Sequence, residues 1–415
     1  MANIRPFAAV RPTEEKAQQV AALPYDVYSS AEAREAVQGK PYSFLNIDRA
    51  ETQFGKNYDI YAAEVYEKAD EMLLQWQKQG ILIQDEQPCY YIYELIMDGR
   101  SQTGIVGAAS IDDYIRGVCK KHENTVAAKE QDRIKHVDVT SAHTGPIFLA
   151  YRNHEGIDAI VQQQKKKIPL YAFTSEDKVS HRIWKVDDEK TVRAIRDAFS
   201  QVDSTYIADG HHRNASAVKV GLKRREANPQ YTGEEEFNYY LAICFPEQEL
   251  KIMAYNRFVR NLNGYTNEEF LKKLAQSFEI QPLPKASHPK TKGTVHMYLD
   301  GKWYALTVRK EIMKRKKGPV ETLDVSVLQD ECLGPILGIK DPRNNARIKF
   351  VGGIRGLNEL KRLVDQTKGS VAFAMFPIKI EELFAVADAG LLMPPKSTWF
   401  EPKPRSGLLI HRFER

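Results

Sequence analysis

The sequence predicts a mixed α/β protein, and three local patterns carry that prediction. Apolar residues between Tyr61 and Trp76 recur at steps of three and four, which predicts a helix with one apolar face that ends near Gly80. Apolar runs on both sides of Asp98-Gly99 predict a β-hairpin. Further along, the strand-like TYIA is followed at once by a polar turn and an alanine-containing helix.

The remaining elements follow from similar patterns. The apolar runs GPIFLAYR, PLYAFTS, HRIWKV and FNYYLAICFP predict strands, and Thr191 to Phe199 predicts a short helix. NLNGYTNEEFLKKL predicts a turn and a capped helix, HMYLDGKWYALTV a second Asp-Gly hairpin, and Ser326 to Cys332 a further helix. We divide the chain into an N-terminal α/β region (1–110), a central region (111–262) and a C-terminal α/β region (263–415).

Composition excludes several classes of protein. The 415 residues are 42% hydrophobic, 28% charged and 10% aromatic, which is ordinary for a globular chain and unlike a disordered or fibrous one. A chain of this length can bury a core without disulfides. The 60 Lys and Arg against 55 Asp and Glu leave a formal charge of +5, which argues against a surface dedicated to nucleic acid.

The cysteine pattern and hydropathy bear on location. Cys89, Cys119, Cys244 and Cys332 are too scattered for a disulfide framework or a CxxC metal site, so we expect buried thiols in a reducing compartment. No apolar stretch approaches the roughly 18 residues that a membrane helix needs, and the N-terminus does not have the pattern of a signal peptide. We expect a cytoplasmic protein without membrane contact, and a homo-oligomer stays open.

The strongest chemical signal is the run Asp209-Gly210-His211-His212-Arg213, named the box. Gly210 permits a tight turn, the N–H groups of the following helix attract an anion, and Arg213 can hold phosphate oxygens. Asp209 can bind Mg²⁺ or orient a histidine, and His212 can contact a phosphate or transfer a proton. A structural turn with an N-capping aspartate is the competing interpretation, but five such residues in succession favour a site.

A second signal is Lys121-His122-Glu123-Asn124-Thr125, in a charged stretch with few apolar residues. Glu123 lies beside a histidine and a lysine, which makes it a candidate general base, and an exposed polar segment explains it equally well. For Lys129, Glu130 and Arg133 a charged, exposed helix is the favoured interpretation.

Three turn or strand-end residues are weaker candidates. Arg257, in the Tyr255-Asn256-Arg257 segment after the strand-like ELKIMA, can clamp a carboxylate or a phosphate. Asp26 and Lys396 lie in polar clusters at predicted turns, where each more often stabilises a loop. The chain contains no Walker A loop, GxGxxG, GxSxG or kinase HRD and DFG motif, and no helix-turn-helix with a basic recognition helix.

Together these segments resemble the bacterial and archaeal DUF1015 family over nearly the whole chain. The resemblance rests on IRPFAAVRP, LPYDV at 23–27, HENT at 122–125, ADGHHR at 208–213, the YNR segment and the terminal MPPKSTWFEPK. The family name assigns no function.

The box also resembles the signature of the ParB/sulfiredoxin-like nucleotide-binding fold, most closely that of the free L-serine kinases. The resemblance implies a ParB/sulfiredoxin-like core with flanking α/β elements, ATP or ADP with Mg²⁺ as cofactors, and L-serine as the small-molecule substrate. It assigns catalysis to Glu123, Asp209 and His212, cofactor binding to Gly210, His211, Arg213 and Asn214, and the metal to Asp209. Binding of the amino acid would use Asp26, with Arg257 or Lys396 for its carboxylate.

Two other functions stay open at this point. The same phosphate-binding turn could serve a nucleotide-binding regulatory or DNA-associated protein without kinase activity. A hydrolase that uses the histidine pair would transfer the phosphate to water instead of an acceptor.

Overall fold

The computed structural model describes residues 1–125 and 127–414, and the chain divides into two compact units. Unit 1 comprises Met1–Lys120, Thr125–Leu250 and Pro402–Arg415, and unit 2 comprises Lys121–Asn124 and Lys251–Glu401. These bounds differ from the three sequence regions, whose division stays a prediction.

The strands form two large sheets and three two-stranded ribbons in the described part of the chain. In chain order the strands are β1 (Ile4–Arg5), β2 (Val10–Pro12), β3 (Leu82–Gln84), β4 (Tyr90–Met97), β5 (Arg100–Ser110), β6 (Cys119–Lys120), β7 (Ala142–His143), β8 (Ile147–Tyr151), β9 (Tyr171–Thr174), β10 (Ser180–Val186), β11 (Thr205–Asp209), β12 (Tyr239–Pro246), β13 (Ile252–Met253), β14 (Tyr255–Val259), β15 (Phe278–Leu283), β16 (Thr294–Leu299), β17 (Lys302–Val308), β18 (Ile348–Gly352), β19 (Val371–Ala374), β20 (Trp399–Phe400) and β21 (His411–Arg412).

Helices of very different lengths connect these strands. They are α1 (Glu14–Val20), α2 (Ser30–Ala36), α3 (Leu45–Asp48), α4 (Ala63–Lys78), α5 (Ile111–Ile115), α6 (Ala127–Thr140), α7 (Glu155–Gln164), α8 (Glu189–Phe199), α9 (His211–Ala227), α10 (Asn267–Leu274), α11 (Lys310–Arg315), α12 (Gly318–Glu321), α13 (Asp324–Leu328), α14 (Gly356–Asp365) and α15 (Ile380–Asp388). Within the described residues, none of them is both long and apolar enough to cross a membrane.

Unit 1 is built on a mixed sheet that has nine strands in the part of the chain described. Its order is β6-β11-β8-β12-β5-β4-β10-β9, with β1 on β5. β8 runs parallel to β12 and antiparallel to β11. One apolar cluster lies against this sheet, and a second packs the N-terminal helices around Phe44, Leu73 and Trp76. The box, at the end of β11, therefore rests on a rigid, buried sheet.

Unit 2 has an antiparallel sheet of order β15-β17-β16-β19-β14-β18. Its core packs Leu360 and Val364 of α14 against Phe258, Ala372 and neighbouring strand residues. β13 and β20 form a separate two-stranded ribbon within this unit.

The mixed α/β class predicted from the sequence is confirmed, whereas a ParB/sulfiredoxin-like core stays a prediction. α4 ends at Lys78, and both Asp-Gly hairpins form, with Asp98 and Asp300 at positive φ. The capping box of α10 forms between Thr266 and Glu269. All four cysteines are free and buried.

The expected exposure of the charged helix is wrong at two positions. α6 is a helix and Lys129 is exposed, but Glu130 and Arg133 are buried. Their face packs against α4 and α9 instead of facing solvent. Hydrophobicity alone mispredicts them because each buried charge has a partner: Glu130 pairs with Lys219, which is distant in sequence. Arg133 pairs with Asp132 and lies over the ring of Tyr25.

Candidate functional site

The box lies at the junction of β11 and α9 in unit 1. β11 pairs with β8 regularly up to Ile207 and Leu149, after which a bulge places Asp209 opposite Phe148. Gly210 follows with φ +92°, a left-handed backbone conformation that residues other than glycine rarely adopt. A bulge of this kind re-aims a side chain at the end of a strand, here the carboxylate of Asp209.

Two cations hold the carboxylate of Asp209. Lys403 Nζ lies 3.0 Å from Asp209 Oδ2, and Arg213 Nη2 lies 3.6 Å from the same oxygen. Burial alone would raise the pKa of Asp209, but Lys403, Arg213 and His211 outweigh it and hold that pKa well below its usual range. Asp209 is therefore ionised at any physiological pH.

The guanidinium of Arg213 is fixed above the turn. Its Nη1 donates to the carbonyl oxygen of Pro146 at 2.6 Å. A Cβ on Gly210 would lie 3.1 Å from Arg213 Nε, and a Cβ on Gly145 would lie 2.6 Å from Ser406 Oγ. A side chain at either position would therefore displace its neighbour, Arg213 or Ser406, and at Gly210 the positive φ adds backbone strain.

The first turn of α9 places backbone N–H groups and the positive end of the helix dipole at the box. The N-cap residue is Gly210, which has no side chain to cap the helix, and the first turn contains no acidic residue. α9 spans 17 residues, so its dipole is fully developed at this end. The backbone N–H groups of the first turn, the helix dipole and Arg213 together favour an anion.

The other members of the box differ in exposure. His211 is buried and His212 is half-buried. Asn214 is fully buried near Tyr240 of β12, and its nucleotide-binding role stays a prediction.

A buried carboxylate that sequence reasoning missed lies beside His212. Glu130 forms an ion pair with Lys219 and accepts a hydrogen bond from Thr125 Oγ1. Burial tends to raise its pKa, but the hydrogen bonds from Lys219 and Thr125 and the charge of His212 lower it below its usual range. The single hydroxyl hydrogen of Ser216 is within reach of two carbonyl oxygens, that of His212 at 2.7 Å and that of Glu130 at 3.2 Å, so Ser216 lies at the contact of α9 with α6.

Asp26 is exposed, in a 3₁₀ turn whose neighbour Tyr25 is buried. The guanidinium carbon of Arg133 lies 4.1 Å from the centre of the Tyr25 ring. Burial and the charge of Asp26 raise the pKa of Tyr25, while Arg133 and Arg213 lower it. The side chain of Tyr25 thus lies between the influence of Asp26 and that of two arginines, and the role of Asp26 in binding an ammonium group stays a prediction.

Glu123 belongs to unit 2, in the short segment Lys121–Asn124. The neighbouring His122 is buried, and its Nε2 lies 3.2 Å from Thr398 Oγ1. Its carbonyl oxygen accepts a hydrogen bond of 2.8 Å from Met393 N. This segment and the Met393–Thr398 loop, which contains Lys396 at φ +56°, are thereby brought together in unit 2.

Arg257 does not lie at a strand end, as the sequence suggested, but inside β14, where it is 3% exposed. Its guanidinium donates to the carbonyl oxygen of Tyr255 and lies 5.1 Å from the centre of the Phe350 ring. Among the described residues no carboxylate pairs with it, and burial lowers its pKa to about 10. A buried cation without a carboxylate is a candidate position for an anionic group of a ligand.

The structure thus gathers the box with Lys403 and Pro146 in unit 1, and in unit 2 it joins the segment of Glu123 to the loop of Lys396 through His122. Lys403 could have been found from the sequence, because it is the last residue of the MPPKSTWFEPK segment. Gly145, Pro146 and Glu130 carry no local signal, since only the pairing of β8 with β11 and of α6 with α9 brings them to the box.

The donor set at Asp209 is compatible with Mg²⁺. The closest approach of both cations is to Oδ2 of this carboxylate. Mg²⁺ in phosphoryl-transfer sites is bound by one or two carboxylates together with waters and substrate phosphates. Two adjacent cations disfavour a free metal ion here, so Mg²⁺ fits this carboxylate only together with a polyanion.

Solved structures give weak likenesses. A free serine kinase variant in complex with ADP is 15% identical, with a TM-score of 0.35, and the match covers 74% of this chain and 92% of that one. SbnI with a C-terminal truncation, from Staphylococcus aureus, is 10% identical, with a TM-score of 0.40 and coverages of 73% and 85%. A conserved hypothetical protein from Pyrococcus furiosus is 15% identical, with a TM-score of 0.35 and coverages of 74% and 94%. TM-scores this low carry no argument about activity.

Family membership rests on the sequence. No curated protein matches the chain. The family model described as "Protein of unknown function (DUF1015)" matches residues 4–326, which is more than half of the chain. The chain belongs to the DUF1015 family.

Proposed function

We propose that this protein is a nucleotide-dependent small-molecule kinase that phosphorylates free L-serine to O-phospho-L-serine. The observation that carries the proposal is the box: the start of a 17-residue helix with an ionised aspartate just before it and an arginine in its first turn. The resemblance of this sequence to the box of the free L-serine kinases supports the choice of reaction.

The geometry of the box suits a phosphate chain. The N–H groups of α9 and the guanidinium of Arg213 would bind phosphate oxygens, and Lys403 would add a third positive group. Phosphoryl transfer depends chiefly on positioning and on neutralising charge, which fixed donors of this kind provide. His211 and His212 lie in the same turn and would contact the phosphates or transfer a proton.

Asp209 would hold Mg²⁺ once a nucleotide supplies phosphate ligands. When bound, the ion would neutralise charge that develops on the transferred phosphoryl group. Lys403 would keep Asp209 ionised and oriented, so its role is positional.

In the proposed reaction the serine hydroxyl oxygen attacks the terminal phosphorus of ATP or ADP. The new bond is O–P, the bond between that phosphorus and the bridging oxygen breaks, and ADP or AMP leaves. Glu123 accepts the hydroxyl proton. Arg257, buried without a carboxylate partner in the described part of unit 2, or Lys396 would bind the amino-acid carboxylate, and Asp26 its ammonium group.

Phosphorus NMR tests the proposal directly. Purified full-length protein is incubated with Mg²⁺, ATP or ADP, and one free amino acid at a time. We expect a new phosphomonoester signal with L-serine alone. Asp209→Asn and Glu123→Gln should abolish it, whereas the exposed control variants Asp203→Asn and Glu268→Gln should retain it.

The possible outcomes separate the functions. Turnover retained in both Asp209→Asn and Glu123→Gln, with folding intact, overturns the mechanism. Nucleotide binding without any acceptor-dependent product indicates a nucleotide-binding regulatory protein. Release of inorganic phosphate regardless of the acceptor indicates a hydrolase.

A further inference from the structure

A separate cleft of about 700 Å³ lies in unit 1, between the N-terminal helices and the loop after β9. This is within the size range of sites for small organic molecules. None of the residues from Asp209 to Arg213 lines it. The cleft is thus a different place from the box, and a ligand held there would serve a role beyond the proposed kinase activity.

Apolar and aromatic side chains form much of the surface of this cleft. Leu23, Ala36 and Leu45 line it, together with the rings of Tyr28 and Tyr42. Tyr28, Ala36 and Tyr42 are only partly buried and pack against the N-terminal apolar cluster. Such a surface favours the aromatic or large aliphatic body of a ligand.

A buried arginine on the wall of the cleft, Arg405, forms hydrogen bonds through only some of its nitrogen atoms. Arg405 is 4% exposed, and its Nη2 donates to Ser175 Oγ at 3.0 Å and to Asp177 Oδ2 at 2.5 Å. Its Nε lies 3.4 Å from His181 Nε2. In the described part of the chain Nη1 has no hydrogen-bond partner, so this nitrogen can donate to an acceptor in the cleft.

The charged residues of the cleft balance in sign. Lys40 Nζ lies 2.7 Å from Glu176 Oε2, and this pair is largely exposed. An exposed ion pair contributes little stability, so each of its groups can exchange its partner for an opposite charge on a ligand. Two cations, Lys40 and Arg405, and two carboxylates, Glu176 and Asp177, therefore face the same space. A net charge of zero with both signs present is complementary to a zwitterion and not to a simple anion.

We propose that this cleft binds a zwitterionic amino acid with an aromatic or large aliphatic side chain. Its carboxylate accepts from Arg405 Nη1 and Lys40, its ammonium group lies near Glu176 and Asp177, and its side chain packs on Leu23 and Tyr28. No bond is made or broken there. The cleft is a binding site for an effector and not a second active site.

Ligand-observed NMR and calorimetry on the full-length chain test this proposal with L-phenylalanine as the probe. Two analogues each delete one charge: 3-phenylpropionate lacks the ammonium group and 2-phenylethylamine lacks the carboxylate. We expect L-phenylalanine to bind with a Kd below about 1 mM, and both analogues to bind at least about tenfold more weakly.

Substitutions locate the binding. Ala36→Trp fills the cleft and should abolish binding, whereas Ala31→Trp, on the exposed side of the same helix and outside the cleft, should leave it unchanged. Lys40→Gln changes an exposed side chain and should leave folding intact. It should lower the affinity for L-phenylalanine several-fold. No binding at about 10 mM overturns the proposal. Equal affinity of the three compounds, or unchanged binding in folded Ala36→Trp and in Lys40→Gln, also overturns it.

Discussion

Replacing Lys403 by methionine removes one ion pair from the box and keeps most of the volume of the side chain. Nζ lies 3.0 Å from Asp209 Oδ2, and the two side chains are 9% and 28% exposed. At an effective dielectric constant of about 20, two charges at this separation attract by about 5 kcal/mol before the loss of hydration is subtracted. Arg213 remains near Asp209 in the variant. We therefore expect Lys403→Met to destabilise unit 1 by about 2 kcal/mol at pH 7.

The sign of the pH dependence follows from the pKa of Asp209, which its cationic neighbours hold below the usual value. A carboxylate with a lowered pKa in the folded state stabilises the fold above its ordinary pKa of about 4, and this stabilisation is lost as the pH falls through the folded value. The difference between wild type and Lys403→Met should therefore be full at pH 7 and shrink steadily below about pH 4.

Urea denaturation of full-length protein at several pH values, followed through the transition that unfolds unit 1, measures both effects. Lys403→Arg keeps the charge and should recover most of the stability. Lys166→Met, at an exposed lysine, controls for the loss of a lysine as such. A Lys403→Met variant within about 0.3 kcal/mol of wild type at pH 7, or a difference that does not change between pH 7 and pH 3, would refute the electrostatic account of the box.

Three further predictions concern single residues. Gly210→Ala places a Cβ 3.1 Å from Arg213 Nε at φ +92°, so it should lower both the affinity for ATP and the free energy of unfolding. The control Gly39→Ala has φ +69° and no atom within 4 Å of its Cβ, so urea denaturation should show only the backbone penalty of about 1 kcal/mol. Arg257→Met removes a buried guanidinium that has no carboxylate partner in the described residues. Unit 2 should therefore unfold at the same or a higher urea concentration, while the formation of phosphoserine falls. A large loss of stability would show that Arg257 is structural. Burial raises the pKa of Asp324 to about 6, so the free energy of unfolding of unit 2 should fall by about 2 kcal/mol as the pH rises from 4 to 8. In Asp324→Asn the free energy of unfolding should depend less on pH over this range. An equally steep dependence in the variant would contradict the assignment.

Local sequence patterns were sufficient for most secondary structure. The helix ending at Lys78, both Asp-Gly hairpins and the capped α10 follow from periodicity and turn chemistry, which act between near neighbours. Buried charges were mispredicted because burial depends on partners elsewhere in the chain. Glu130 is an example, since its ion pair with Lys219 of α9 makes burial tolerable.

The candidate site likewise has a part that the sequence alone predicts and a part that depends on the tertiary structure. The order strand, aspartate, glycine, histidines and arginine is written in consecutive residues, so the sequence alone locates the box and specifies that a turn at Gly210 opens a helix. Only the tertiary structure brings Lys403 to Asp209 and Pro146 to Arg213, across 194 and 67 positions of chain. It alone shows that Arg257 is buried inside β14 without a carboxylate partner in the described residues. The physical reason is that backbone conformation is decided by neighbouring residues, whereas the protonation state and orientation of a side chain depend on charges that only folding brings within a few ångströms.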